Sequence, residues 1–135
     1  MTVVDRADVR TAFYQLLAAN VTGAQAVVDG FTEDLGGMSP VVVVASAGMD
    51  RARLTLRGSQ PKVALDVYVF ALATAGADDL LDAAEQQVAQ VVEDNQAAAR
   101  WSAIDYAGDT EVGFIVALDG AEYRRERIPL RFTAR

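Results

Sequence analysis

Apolar residues recur at helical spacing near the start of the chain. Val9, Phe13, Leu16 and Leu17 fall on one stripe, which predicts a helix over 5–19. Asp5 is placed to cap it, and Asp8 lies in its first turn, where a carboxylate meets the positive end of the helix dipole. The stretch 21–39 has no clear period. Within it, 26–28 and Phe31 read as a short extended piece, and Gly36-Gly37-Met38-Ser39-Pro40 as a loop. Beyond Pro40 the spacing changes to that of strands. Valine occupies both faces of 41–46, the pattern of a strand covered on both sides. The composition of 47–50 predicts a turn. In the strand 51–57, Arg51, Arg53, Thr55 and Arg57 share one face, with Ala52, Leu54 and Leu56 on the other. After a turn at 58–61, the strand 62–73 sets Val63, Leu65, Val67 and Val69 against Asp66, Tyr68 and Phe70. These three strands read as a meander.

A second helix starts at Gly76-Ala77-Asp78 and runs to about 95, with Leu81, Ala84, Val88 and Val91 as its apolar stripe. Trp101 leads into a short strand over 102–106, and Gly108-Asp109 turns the chain. The runs 112–118 and 122–132 flank Asp119-Gly120, which predicts a two-residue type I′ hairpin with both turn residues at positive φ. In the last run Ile128, Leu130 and Phe132 point one way, and Tyr123, Arg125, Arg127 and Arg131 the other. Pro129 lacks an N–H and is tolerated mainly on edges or at bulges, so at least part of this strand is expected near a sheet edge. The order is α-β-β-β-α-β-β-β. It predicts a single α+β domain over 1–135, a mixed, mostly antiparallel sheet with two helices packed on one face.

Composition narrows the chemistry. Hydrophobic residues make up 52% of the 135, enough for a core without staples. There is no cysteine and no histidine, which excludes disulfides, thiolate catalysis, a Ser-His-Asp triad and any zinc site with histidine ligands. Only carboxylate-based acid, base or metal chemistry stays open. No apolar run approaches the roughly 20 residues that span a bilayer, and the first residues do not read as a secretory signal, so a soluble protein made inside a cell is expected. Neither nucleotide-binding glycine fingerprint is present.

Charge is negative overall, at −7, which argues against non-specific DNA binding. It is also segregated. The second helix carries Asp78, Asp79, Asp82, Glu85, Glu93 and Asp94 without a base, whereas the last strand carries Arg124, Arg125, Arg127 and Arg131. Acids in a first helical turn are accounted for by the dipole, so Asp78, Asp79 and Asp82 are not assigned as metal ligands, and no cofactor is expected. Asp66 reads either as a buried carboxylate or, preferred here, as an exposed one on a solvated or interfacial sheet face. Trp101 reads as a corner of the core or as an interface anchor. The arginines read either as a charged face that guards an edge or as a contact surface. The candidate contact residues are Arg51, Arg53, Arg57, Arg124, Arg125, Arg127 and Arg131, with Asp78, Asp79 and Asp82 as their acidic counterpart.

The order of elements, the proline-led strand at Pro40, the acidic helix, the segment from Trp101 to Tyr106 with Gly108 after it, and the ending DGAEYRRERIPLRF together resemble the tail terminator, or tail completion, proteins of long-tailed bacteriophages of the lambda type. The resemblance covers nearly the whole chain and rests on a pattern of elements, not on a catalytic motif. It implies a mixed sheet with helices against it and a hexameric ring on the head-proximal end of the tail tube. That ring stops tube polymerisation and offers a docking surface to head-neck connector proteins, with DNA passing through its lumen and no specific binding. It implies a virion protein with no catalytic residues. A net negative subunit suits a channel through which DNA slides, because fixed positive charge binds phosphate. Other readings are a different neck or tail component, a small carboxylate-based metal- or ligand-binding enzyme, and a dimeric binding module.

Overall fold

The computed structural model describes residues 3–51 and 60–135. Among these residues two helices and six strands form an α+β fold: α1 (Arg6–Asn20), β1 (Ala26–Asp29), β2 (Val41–Asp50), β3 (Lys62–Leu72), α2 (Ala77–Asp94), β4 (Trp101–Tyr106), β5 (Glu111–Val116) and β6 (Glu122–Ala134). The element order is the expected one. Asp5 caps α1, its carboxylate accepting from the Ala7 amide at 2.9 Å.

The strands make one mixed sheet in the order β1-β2-β3-β6-β4, with β5 also paired to β6. Only β1 and β2 are parallel; the other pairs are antiparallel. Both helices pack on the same face. There Val9, Phe13 and Leu17 of α1 and Leu81, Ala84 and Val88 of α2 bury against Val42, Val44, Leu65, Val67, Leu130 and Phe132. Phe13 meets the Phe132 ring edge-on at 5.0 Å, and Trp101 meets Phe132 at 5.1 Å. Trp101 is fully buried and donates its indole N–H to the Asn95 carbonyl at 2.8 Å, so it belongs to the core. A smaller core lies on the opposite face, where Leu35, Val41, Val43, Phe70 and Tyr123 pack under the loop 30–40. The Tyr123 hydroxyl donates to the Met38 carbonyl there at 3.0 Å. This second core explains valine on both faces of β2.

Four expectations are corrected. The segment 47–50 is not a turn: β2 continues through it by a bulge between Ser46 and Gly48. β2 pairs directly with β3, from Val41↔Phe70 to Asp50↔Lys62, and the first of the three early strands is β1; the predicted strand 51–57 lies outside the described residues apart from Arg51. The hairpin is not type I′. Among the described residues no non-glycine has positive φ, and only Gly120, at φ 88°, does so in this turn. Gly120 N–H bonds Ala117 O at 2.9 Å and Ala117 N–H bonds Ala121 O at 2.8 Å, the pattern of a three-residue loop closed by a left-handed glycine.

The fourth correction concerns Pro129. β6 is interior, paired along its length with β3 and on its other side with β5 over Glu122–Arg127 and with β4 from Leu130 onward. Pro129 sits at the break between these two partners. Its carbonyl accepts from the Ala107 amide at 3.0 Å, so its nitrogen faces the 107–110 connection rather than β3. A missing N–H at that break leaves no ladder bond unmade.

Candidate functional site

The arginines of β6 divide between the two faces of the sheet, because successive strand residues alternate. Arg125 and Arg127 lie opposite Phe70 and Tyr68 of β3, on the face away from the helices. Arg127 Nε bonds Asp66 Oδ2 at 3.1 Å, and its Nη1 reaches Glu111 Oε2 at 3.5 Å. Asp66 is buried, so the preferred exposed reading is corrected: the long Arg127 side chain covers it and supplies its counter-charge. The Tyr68 hydroxyl donates to the same carboxylate at 3.5 Å. Burial and the neighbouring Asp66 charge raise the Tyr68 phenol above its ordinary range. Arg125 lies over the Tyr68 ring at 5.4 Å, and Phe31 meets that ring edge-on at 6.1 Å. Arg131 is exposed, with Asp105 as its register partner on β4.

Arg124 points to the helix side. Its Nη2 pairs with Asp78 of α2 at 2.9 Å, and its guanidinium lies over the Phe114 ring at 4.7 Å. The acidic helix and the basic strand thus meet within one chain at this point. Asp79 and Asp82 stay exposed on α2. Arg51 donates to the Val4 carbonyl at 2.6 Å, while Arg53 and Arg57 lie outside the described residues. The ten candidates therefore do not converge on one site.

Two features were not singled out from the sequence. The first is Glu126, which is only 7% exposed on the helix side of β6. Burial raises its carboxyl above the ordinary range, and the charges of Glu85 and Asp82 push it further up, against a hydrogen bond from Thr110. Its strand parity with Ile128 and Leu130 was the available signal. The second is a row along the helix side of β5 and its exit: Val112, Phe114, Val116 and Leu118 are 52%, 66%, 62% and 74% exposed. Their alternation marks a strand, and an alternating apolar face ordinarily means core. Here the row stays more than half exposed at the sheet edge, with only the Arg124 guanidinium over the Phe114 ring among the described residues, beside a shallow groove of about 410 Å³ lined by Thr74, Gly76, Asp78, Phe114 and Arg124.

Among the described residues no group of three or more Asp or Glu is placed to hold a metal ion, and no helix is long and apolar enough to cross a membrane. A free, apolar strand edge can add another strand and bury side chains against it; that is the chemistry of assembly. Comparison with protein-family models gives no match, and comparison with curated proteins gives none either.

Proposed function

We propose that the chain is a structural virion protein whose ring caps the head-proximal end of a bacteriophage tail tube. The ring ends tube polymerisation and gives the head-neck connector its docking surface, with DNA passing through the lumen. The observation that carries an assembly role is the uncovered row Val112, Phe114, Val116 and Leu118 on the β5 edge. Large apolar side chains lined up on a free edge mark contact with other protein, since exposure to water has no compensation there. The terminator role is supported by the resemblance of the whole element order, and by a charge of −7 that disfavours DNA adhesion in a channel. Its partners are then further copies of itself, the tail tube protein and the head-neck connector.

The test combines mass in solution, negative-stain imaging and tube growth. Rings of subunits, and arrest of growth when the protein is added to polymerising tail tube protein from the same genome, are the expected results. Monomers that leave tube growth unchanged refute the proposal. Charge reversal at Arg125 and Arg131 is expected to keep the fold and weaken ring formation or capping. Arg127 is unsuitable for that test, because it neutralises the buried Asp66.

A further inference from the structure

We infer that in the free protein the β5 edge pairs with β5 of a second copy, antiparallel about a two-fold axis at Phe114. The inference rests on reading that edge as an assembly surface, and it names the occupant. Ala117 N–H points into the sheet toward Ala121, so by alternation the N–H and C=O groups of Glu111, Gly113 and Ile115 also face β6. Those of Val112, Phe114 and Val116 face outward and have no strand partner among the described residues. An extended chain is the occupant that satisfies three consecutive outward pairs.

The same strand is its own complement. Antiparallel pairing centred on Phe114 sets Phe114 against its symmetry mate and Val112 against Val116, and it forms about six main-chain hydrogen bonds. The apolar row then continues across the axis without interruption. On the opposite face Ile115 falls beside Gly113, where nothing lies within 4 Å of the position a Cβ takes. Bulk therefore meets open space twice, once on each side of the axis. Glu111 falls opposite Ala117, so no like charges face each other. A head-to-tail ring contact uses two different patches. The two-fold pairing is accordingly a separate contact, one that shields the row before assembly. About six main-chain hydrogen bonds and one apolar row make a small contact, so a weak, concentration-dependent association, in roughly the micromolar range, is expected.

The chain has no cysteine, so single-cysteine variants report one contact each. Phe114→Cys is expected to form a disulfide dimer under mild oxidation, because residues of a hydrogen-bonded pair lie about 5.5 Å apart, within disulfide reach. Val112→Cys alone is expected to stay monomeric on a non-reducing gel, yet to cross-link when mixed with Val116→Cys. Val116→Pro removes an outward N–H and no β6 bond, so it is expected to sediment as a monomer with an unchanged circular dichroism spectrum. Val112→Lys is the alternative if the proline variant does not fold. The inference is overturned if the wild type sediments as a monomer throughout the micromolar range. It is equally overturned if Val112→Cys alone cross-links as well as Phe114→Cys, or if the proline and lysine variants associate normally. Rings that form without any Phe114→Cys cross-link overturn the pairing and leave the ring standing. A cross-linked dimer that never arrests tube growth does the reverse.

Discussion

Replacing Arg127 by methionine is expected to destabilise the protein by about 2 kcal/mol. Methionine keeps much of the apolar stem and removes the charge. The carboxylate of Asp66, whose side chain is 12% exposed, then loses its 3.1 Å bond to Arg127 Nε. Removing one partner of a fully buried pair costs about 3–5 kcal/mol, because the other charge stays behind unpaired. Arg127 is 33% exposed, so water reaches the vacated place and the cost is reduced to about 2 kcal/mol. For a domain of this size that is a fall in melting temperature of roughly 8 °C. Asp66→Asn is expected to cost less, about 1 kcal/mol, since the remaining guanidinium still has water and Glu111 at 3.5 Å. A double-mutant cycle in urea, at a concentration where the protein is monomeric, should give a coupling of about 1 kcal/mol. Arg127→Glu should be worse than methionine, because it sets a second carboxylate beside Asp66. If Asp66→Asn costs as much as Arg127→Met, or the coupling is zero, the pair is not the desolvated contact described here.

Phe13→Ala removes the ring packed between Trp101, at 6.2 Å, and Phe132, at 5.0 Å; a loss of about 3–5 kcal/mol in chemical denaturation is expected. Gly120→Ala forces a side chain into φ 88°, so about 1 kcal/mol is expected to be lost even though the space is open. Glu126→Gln is expected to stabilise the protein at neutral pH. The carboxyl is raised in the folded state, mainly by burial, so the native protein holds its proton to higher pH than the unfolded chain does. The stability from that group is therefore complete below the ordinary glutamate range of about 4.3 and is lost as pH rises through the folded value. Urea midpoints of the wild type and Glu126→Gln should differ at pH 7 and converge at acid pH; a constant difference contradicts the assignment.

Much of the architecture was legible because it is recorded in short-range spacing. The stripe of Val9, Phe13 and Leu17, the valines of β2 and the alternation of β3 each identify an element and the side chains that share a face. The Asp5 cap and the two-helix, six-strand order followed from the same local signals. What was not legible is what stands opposite a face. The sequence places Asp66 among apolar residues, but only the register Tyr68↔Arg127 brings a guanidinium over it. Pro129 signals an edge by its missing N–H, but only the meeting of β4 and β5 on one side of β6 puts a break there inside the sheet. Val112, Phe114 and Val116 alternate like a core strand, yet the edge they occupy is left uncovered.

From the sequence alone came the two helices, the strands β2 to β6, the order α-β-β-β-α-β-β-β, the residues grouped on each face of those elements, and an inventory of side chains without histidine or cysteine. Tertiary structure alone decided the parallel β1, the glycine-closed hairpin, the burial of Asp66 and Glu126, and the exposure of the β5 row. The physical reason is one of range. Periodicity follows from bond geometry over a few residues, whereas covering a face depends on where distant elements begin and end.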